Sequence, residues 1–538
     1  MSESESAEEL DAVTLEILRN QFEGVAEEMG QVLITSAYSP NIKERRDCST
    51  ALFDADGRLV AQAEHIPVHL GAMPAAVDAV LAKDPDPGDV WVLNDPFQGG
   101  THLPDVTMVS PVTATDSADI LGYAVSRAHH ADVGGQSPGS MPAGAREIYQ
   151  EGLRLPPVRL AIDGDVNDDV MDVILANVRN ASERKADVRA QLAANDRAEE
   201  RVRDLVAEHG RDCIESAFDA VMDYSRDRIT AELDALPDGE YHARDVLEGD
   251  GQTDEDIPIE ATVTVDGADV TVDFAGTADQ VDGNVNAPLA VATSAVYFVV
   301  RCVTDPDIPP NQGCYDPIHV EAPDGSLLNP NAPAAVVGGN VETSQRVTDV
   351  VLAAFADAAP ERVPAQGQGT MNNLVVGSRD ADGFSYYETI GGGAGGRPTG
   401  DGTDGVHVGM TNTLNTPIEA LEAEYPLRVE RYGLREGSGG DGEHRGGLGI
   451  VRSVTVEADA TVSLLTERRR HAPKGVAGGE DGQPGENRID DESVPAKTTR
   501  DISAGTTVTV GTPGGGGHGD AADRDDEARE TDRADEKV

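Results

Sequence analysis

The chain has 538 residues, of which 98 are acidic and 42 are Lys or Arg, so its formal net charge is −56. A charge of this sign argues against nucleic acid, whose phosphates would be repelled, and against an anionic membrane surface. No apolar run reaches the roughly eighteen residues of a membrane span, and the acidic N-terminus lacks the apolar core of a secretory signal.

The first half of the chain alternates predicted helices and strands. Apolar residues at steps of three and four after Asp11 predict a helix with Asp11 as its N-cap. In chain order, the further predictions are strands at 50–54 and 58–62, a helix at 71–82, strands at 89–93 and 120–126, and helices over 182–235 with a stop at His209-Gly210.

The second half begins with a change to period two. Alternation over 257–276 around Asp266-Gly267 predicts a β-hairpin. The later predictions are helices at 287–303 and 341–358, a Gly-rich stretch at 391–405 and short strands over 448–510. This pattern predicts an α+β fold with several subdomains.

The predicted domain organisation has an ordered centre and two acidic ends. Residues 1–10 form an acidic lead-in, and residues 511–538, first Gly-rich and then acidic, are expected to be a disordered tail. Between them we expect approximate subdomains at 11–180, carrying the active site, at 181–240, which is helical, and at 241–510, which mixes helices and strands.

Two short motifs bring His and Asp together, namely His102-Leu-Pro-Asp105 and His129-His130-Ala-Asp132. Both lie where a predicted strand gives way to a Gly- or Pro-containing loop, a common position for catalytic groups. Two His and one carboxylate with open positions suit a divalent metal such as Mn, Fe or Zn. The candidate ligands are His102, Asp105 and a nitrogen from the His129-His130 pair. The alternative is that these polar groups only cap helices and hold loops.

Other motifs carry weaker signals. Gly135-Gln-Ser-Pro-Gly139 fits G-x-S-x-G, but Pro138 lacks the N–H that an oxyanion hole would use. Cys48 follows two Arg that could lower a thiol pKa, although a buried structural thiol is the favoured interpretation. The Gly-rich run 388–398 predicts close backbone approach, and no phosphate-binding loop is recognisable in the sequence. Without a Cys-x-x-Cys motif, the four cysteines are expected to be reduced thiols.

The charge also indicates the ionic strength of the solvent to which the protein is adapted. Acidic residues are spread along the whole chain, and 36 of the 42 basic residues are Arg. This composition is typical of proteins adapted to a high-salt cytoplasm, where a Debye length of about 3 Å at 1 M screens self-repulsion. We therefore expect a cytoplasmic, halophilic protein whose fold loosens at low salt.

Several longer segments together resemble a known family. They include Ser36-Ala-Tyr-Ser-Pro-Asn-Ile-Lys-Glu-Arg-Arg-Asp-Cys-Ser49, Asn94-Asp-Pro-Phe-Gln-Gly-Gly-Thr-His-Leu-Pro-Asp105, Arg127-Ala-His-His-Ala-Asp-Val-Gly-Gly135, Asn340-Val-Glu-Thr-Ser-Gln-Arg346 and Tyr387-Glu-Thr-Ile-Gly-Gly-Gly393. Over roughly residues 10–510 the chain resembles the hydantoinase B/oxoprolinase family, which includes the B-type component of ATP-dependent N-methylhydantoinase, 5-oxoprolinase, and relatives in acetone and acetophenone carboxylases.

The resemblance implies a partner and a metal. In that family the ATP site belongs to a hydantoinase A-type subunit, so a hetero-oligomer is expected in which this chain binds no ATP by a recognisable motif. In the carboxylase relatives two His and one Asp hold a divalent metal, which corresponds here to His102, Asp105 and, by preference over His130, His129. His130 and Asp132 are then expected to orient a ligand or to act as the base.

The implied reaction is hydrolysis of a lactam or imide ring that the A-type subunit has activated by phosphorylation. 5-Oxoproline, hydantoin and N-methylhydantoin all fit as substrates. One alternative is the large subunit of an ATP-dependent ketone carboxylase, although those subunits tend to be longer. Another is a non-catalytic scaffold that activates the A-type partner.

Overall fold

The computed structural model describes residues 10–114, 119–380 and 383–537 of the chain. Its helices are α1 (Ala12–Ser36), α2 (Pro40–Lys43), α3 (Met73–Leu81), α4 (Asp168–Ala176), α5 (Ala181–His209), α6 (Arg211–Leu233), α7 (Leu289–Val303), α8 (Gln312–Tyr315), α9 (Ser344–Phe355), α10 (Ile418–Glu424) and α11 (Asp526–Ala534). No helix in these ranges is both long and apolar enough to cross a bilayer.

The strands form four sheets. The first sheet contains, in spatial order, β2 (Leu59–Glu64), β1 (Cys48–Asp54), β5 (Ile120–His129), β4 (Asp105–Thr113), β3 (Val90–Leu93), β6 (Val158–Ile162) and β7 (Asp165–Val166). The second sheet contains, in spatial order, β11 (Ile318–Glu321), β10 (Asp269–Asp273), β9 (Asp256–Asp266) and β8 (Gly239–Glu248). The third sheet contains, in spatial order, β13 (Ser385–Glu388), β12 (Asn373–Gly377), β16 (Ala460–Leu465) and β19 (Lys497–Ile502). The fourth sheet contains, in spatial order, β14 (Leu427–Arg435), β15 (Gly449–Val456), β20 (Thr506–Gly511), β17 (Glu486–Ile489) and β18 (Glu492–Ser493). The predicted α+β class is confirmed.

Helix α1 shows how local signals determine an element. The Asp11 side chain accepts hydrogen bonds from the backbone N–H groups of Val13 and Thr14, as an N-cap does. The apolar stripe of the helix, which includes Leu18, Phe22 and Met29, is buried against α5 and α6 in one core cluster. The helix predicted from this periodicity is therefore confirmed.

The first sheet is covered on both faces. Helices α1, α5 and α6 cover one face, with Leu52 and Ala124 of the sheet in the same cluster. The other face belongs to the largest core cluster, where Val125 joins α3, α7, α9 and the second sheet. Strands buried on both faces read as continuous apolar runs rather than alternating ones, which explains why the 120–126 strand was visible in the sequence.

Glycines from four distant stretches pack together near the C-terminal sheets. Gly393 donates to the carbonyl of Pro513, Gly515 donates to that of Gly447, and Gly440 donates to that of Gly515. A Cβ added at Gly393 or at Gly515 would collide with backbone of a neighbouring segment. Only residues without side chains allow backbones to pack this closely, as at the crowded axis of collagen. The close approach predicted for the Gly-rich run 388–398 is present.

The expected disordered tail differs from the structure. Gly511 is the last residue of β20, and the glycines that follow are buried among the packed glycine segments. Helix α11 then begins at Asp526. Arg524 binds Asp401 and Asp532, which attaches α11 to the domain. Composition suggested a solvated tail because the partners of these glycines are far away in sequence. Of the acidic lead-in at 1–10, only Leu10 lies within the described residues.

The division at residues 180 and 240 stays a prediction, and contacts cross both proposed boundaries. Helix α5 packs against α1 and against β4 and β5 of the first sheet. Beyond residue 240, α9 packs on β8 and β9, and Val347 of α9 shares a core with the first sheet. The helical segment therefore forms one layer over the first sheet.

Candidate metal centre

The alternation of side chains along two paired strands brings the predicted His and Asp residues together. Asp105 is the first residue of β4 and lies directly opposite His129, the last residue of β5. Successive strand residues point to opposite faces, so His129 and His130 diverge. His129 joins the face that carries Asp105, while His130 turns toward α5.

The side chains of His102, Asp105 and His129 converge on one point. His102 Nε2 lies 2.9 Å and His129 Nδ1 3.1 Å from the same carboxylate oxygen, Asp105 Oδ1. One ligand atom from each residue lies within 4.8 Å of the others. All three side chains are buried, the most exposed being His129 at 3%. The predicted trio therefore forms a compact two-nitrogen, one-oxygen donor set.

Two residues that the sequence analysis did not select complete this cluster. His69 Nε2 lies 3.5 Å from Asp105 Oδ2, and its other ring nitrogen pairs with Ser49 Oγ at 2.9 Å. Asn340, just before α9, places its amide nitrogen 3.2 Å from His102 Nε2 and 3.4 Å from Asp105 Oδ2. His69 lies outside both His/Asp motifs of the sequence, and Asn340 is too far along the chain for spacing to place it.

The environment fixes the charge states of the central groups. Burial alone would raise the pKa of Asp105, but the charge of His102 and hydrogen bonds from His102, His129 and His69 hold it well below its usual range. Burial lowers the pKa of His129 to about 4, although hydrogen bonding to Asp105 opposes the shift. An ionised carboxylate beside neutral imidazole is the state in which both groups bind a metal ion.

A second layer of polar side chains orients the trio. The Tyr387 ring stacks on the His129 ring with centroids 4.6 Å apart, and its hydroxyl donates to Asn373 Oδ1 at 2.9 Å. Asn373 in turn donates to Glu342 at 2.8 Å. Asp47 is also close, since its backbone carbonyl accepts from the N–H of His129 at 3.0 Å, and burial together with the charge of Asp105 raises the pKa of Asp47 to about 8. Groups that hold a ligand from behind are a regular part of metal sites.

His130 is not part of the cluster. Its Nε2 pairs with Gln191 Oε1 of α5 at 2.9 Å, and the Gln191 amide donates to the carbonyls of Val106 and Ser126. Burial lowers the pKa of His130, so it is neutral at neutral pH. These contacts attach the end of the first sheet to the helical layer.

Asp132 also makes contacts away from the cluster. Its carboxylate accepts hydrogen bonds from the backbone N–H groups of Gly134, Gly139 and Arg179, and from the Arg179 side chain at 3.0 Å. A carboxylate with this many donors closes a loop, and here that loop includes the G-x-S-x-G segment. The structure therefore brings together the three predicted ligands and neither of the residues expected to orient a ligand or act as base.

The surroundings of Cys48 and Ser137, the other candidate residues from the sequence, indicate structural rather than catalytic roles. Cys48 is buried and its thiol pKa is raised by burial, as expected for a structural thiol. Ser137 is buried and is followed by a short 3-10 turn rather than by a helix with a free N-terminus. All four cysteines are free thiols.

Comparison with known proteins adds a family to this geometry. The sequence model of the hydantoinase B/oxoprolinase family matches residues 11–521. A 5-oxoprolinase of Arabidopsis thaliana is 40% identical over 95% of this chain, which spans 42% of that longer protein. A protein of a Pseudomonas species, named as the B-type component of a D-/L-hydantoinase, is 33% identical over 96% of this chain and 91% of its own length.

Solved structures with the same architecture include two ATP-dependent enzymes. The crystal structure of the ATP-dependent caprolactamase from Pseudomonas jessenii superposes with a TM-score of 0.91, at 29% identity, over 98% of this chain and 94% of that chain. An acetone carboxylase superposes with a TM-score of 0.87 at 19% identity, over 97% of this chain and 78% of that chain, which shows a shared fold.

Proposed function

The chain belongs to the hydantoinase B/oxoprolinase family, and from this we propose that it is the ring-opening component of an ATP-dependent cyclic amidase. Its substrate in this proposal is a lactam or imide ring that a separate A-type subunit activates by phosphorylation. Relatives named as 5-oxoprolinase, D-/L-hydantoinase and caprolactamase support a hydrolase of cyclic amides. Because the chain spans less than half of its 5-oxoprolinase relative, the substrate and the partner are proposals.

The observation that carries the proposal is the buried His102–Asp105–His129 cluster. Two imidazole nitrogens and one carboxylate suit Mn, Fe or Zn, and the cluster brings them within one ion's reach of each other. When bound, such an ion polarises a carbonyl group and makes water more acidic. We assign the three residues as its ligands, with His69 and Asn340 positioning them.

The surrounding residues define what the chain itself contributes. His69, held by Ser49, fixes the orientation of the Asp105 carboxylate. Tyr387 fixes the ring plane of His129 by stacking on it. The cluster is enclosed by protein, and excluding bulk water protects an activated ring from hydrolysis outside the site. The roles expected of His130 and Asp132, orienting a ligand or acting as base, stay predictions, and both residues bond outside the cluster, to Gln191 and to Arg179.

The experiment is reconstitution of the full chain with an A-type subunit. Metal content, ATP hydrolysis and ring opening of 5-oxoproline, hydantoin and N-methylhydantoin are measured together, and acetone is included as a carboxylation substrate. We expect tightly held divalent metal in the isolated chain and ring opening that needs ATP. A complex that binds no metal would support the scaffold alternative, and carboxylated acetone would support the carboxylase alternative.

The matched variants are His102→Ala in the cluster and His319→Ala on β11, where the side chain is 55% exposed. His102→Ala should lower metal affinity by at least about a hundredfold, beyond what loss of an outer-layer partner costs, and abolish ring opening while assembly persists. His319→Ala should behave as the unmodified chain does. Unchanged metal stoichiometry in His102→Ala would refute the ligand assignment.

A further inference from the structure

Two fully buried arginines have no carboxylate partner within the described part of the chain. Of the five largest fully buried arginines, three are ion-paired, namely Arg184 with Asp187 at 3.2 Å, Arg346 with Asp349 at 3.0 Å and Arg468 with Asp245 at 2.8 Å. The other two are Arg45 and Arg127, and neither guanidinium has a carboxylate within 4.0 Å among the residues that the structure describes. An isolated buried charge is costly and in most proteins is paired.

Arg127 lies on the same sheet face as the metal ligands. It is two residues before His129 on β5, opposite Thr107, and both positions share the face of Asp105. Its Nε donates to Thr107 Oγ1 at 2.8 Å and one terminal nitrogen donates to the carbonyl of Ala72 at 3.2 Å. The remaining terminal nitrogen, NH1, is buried and has no hydrogen-bond partner among the residues that the structure describes.

Arg45 reaches the cluster through an aromatic ring. Its guanidinium carbon lies 5.9 Å from the centre of the Tyr387 ring, which stacks on His129. One terminal nitrogen donates to Thr389 Oγ1 at 2.6 Å and to Thr413 Oγ1 at 2.9 Å, so its partners are neutral hydroxyls. Nε and the other terminal nitrogen of Arg45 are buried, with no hydrogen-bond partner in the described ranges.

The neighbouring acids Asp105 and Asp47 do not satisfy the spare hydrogen-bond donors of Arg45 and Arg127 among the described residues. Asp105 already accepts from Thr101 and from three histidines, and it lies within the proposed metal site. Asp47, two residues beyond Arg45, has no contact of 4.0 Å or less with the Arg45 guanidinium among the described residues, although the charge of Arg45 opposes the burial that raises the pKa of Asp47. Two cations whose three nitrogens without partners carry five N–H donors therefore flank the cluster, and the group that best satisfies them is an anion with several oxygens.

We infer that Arg45 and Arg127 form an anion-binding site beside the His102–Asp105–His129 cluster, and that it recognises an oxyanion carried by the substrate. Resting on the proposed function, this restricts the substrate to a ring that bears a negative group when it reaches this chain. Two sources provide that group: a carboxylate attached to the lactam, or the phosphoryl group added during activation.

The test measures anion binding to the full chain after its metal has been removed with a chelator, so that an anion cannot bind through the metal. Thermal unfolding and calorimetry follow three probes at constant ionic strength: inorganic phosphate, 5-oxoproline, and 2-pyrrolidinone, which is the same ring without the carboxylate. Stabilisation by phosphate indicates the phosphoryl source. Stabilisation by 5-oxoproline with none by 2-pyrrolidinone indicates the carboxylate source. If neither anion binds, the inference is overturned.

The variants separate recognition from folding. Arg45→Gln and Arg127→Gln should each weaken binding of the stabilising anion by about tenfold or more, because charge-assisted hydrogen bonds are lost. Arg45→Lys and Arg127→Lys keep the charge without the planar fork and should bind at an intermediate level. Arg431→Gln on β14, where the arginine is exposed, should bind as the unmodified chain does.

The deciding measurement is the shift in unfolding temperature that the anion causes. If the two arginines had a purely structural role, replacing them would leave this shift unchanged. If Arg45 and Arg127 only hold the fold, their variants lose stability but keep the anion-induced shift, and that result would overturn the inference. Anion binding needs neither ATP nor a partner, so its failure with intact ring opening leaves the proposed function standing. Binding without ring opening in the reconstituted complex would instead count against the proposed function.

Discussion

Glu151 is a buried carboxylate that is stabilised by backbone alone. It is 0% exposed, and its oxygens accept from the backbone N–H of Val336 at 3.0 and 3.2 Å and of Val337 at 3.0 Å. Burial raises its pKa to about 8, although those hydrogen bonds oppose the shift. The folded protein therefore retains a proton at neutral pH that the unfolded chain has released.

We expect Glu151→Gln to gain stability relative to the unmodified chain as pH rises. Below the ordinary glutamate pKa, both folded and unfolded states hold the proton, and above about pH 8 both release it. Between these limits the folded state alone is protonated, so each rise of one pH unit costs the unmodified fold at most about 1.4 kcal/mol. Gln cannot titrate and has no such loss.

The measurement is the difference in unfolding free energy between the two proteins from pH 5 to pH 9 at fixed salt. That difference should move in favour of Glu151→Gln between pH 5 and 8 and level off beyond. A difference that does not vary with pH would show that Glu151 is ionised in the fold. Glu492→Gln on β18, where the side chain is 75% exposed, is the matched control and should show no comparable trend.

At the scale of single residues, the sequence predicted the three candidate metal ligands but not the residues that position them. His102, Asp105 and His129 were accessible because they sit in two short motifs. The choice between His129 and His130 depends on the phase of a strand, which was predicted to end at residue 126 whereas β5 continues to His129. Arg127 could have been placed by the same extension, while Arg45 acquires its neighbours only through the tertiary fold.

Among elements, the packed glycine segments depend most directly on the absence of side chains. Gly393 donates to Pro513, Gly447 donates to Ala394, and Gly515 donates to Gly447, so backbone groups of distant segments satisfy each other. These hydrogen bonds need backbones closer than any Cβ allows. The segments therefore act as one element, although no regular helix or strand contains them.

We expect Gly393→Ala to lower the free energy of unfolding by about 1–3 kcal/mol, as overpacking does. Its Cβ would collide with the carbonyl oxygen of Gly447 and with backbone of Gly515, and neither can move without breaking a hydrogen bond. Denaturant unfolding followed by circular dichroism measures the change.

The matched control is Gly24→Ala in the middle of α1, where nothing lies within 4 Å of the added carbon. That substitution should raise stability by about 0.5–1 kcal/mol, because Ala is the better helix former. If Gly393→Ala were as stable as Gly24→Ala, the close packing of glycine backbones would not be the reason for these glycines.

Elements with local signals were predicted well, and those that depend on distant partners were not. The hairpin of β9 and β10, the stop between α5 and α6, and α7 follow from periodicity and turn residues. Strand β4 was missed because it follows a Pro-containing loop and because Thr107, Ser110 and Pro111 interrupt its apolar residues, so it shows neither a continuous apolar run nor strict alternation. The order of residues 512–519 was not predicted, because they pack against glycines more than a hundred residues away in the sequence.

For the whole molecule, the charge of −56 sets the conditions under which all of these interactions are measured. Surface arginines are already engaged with acids, as in the pair of Arg197 and Glu28 at 2.7 Å. With 98 acids for 42 bases, an excess of 56 acids remains that no basic residue can pair one to one. Repulsion among these acids destabilises the compact state and is weakened by mobile ions.

We therefore expect the free energy of unfolding to rise with salt, most steeply at low concentration. The Debye length falls from about 10 Å at 0.1 M to about 3 Å at 1 M, so screening is largely complete by then. Urea unfolding in KCl from 0.05 to about 3 M measures the curve, and equal osmolality of sucrose controls for exclusion of cosolutes. A rise that stays linear to the highest salt, or that sucrose reproduces, would mean that general salting-out rather than charge screening stabilises this fold.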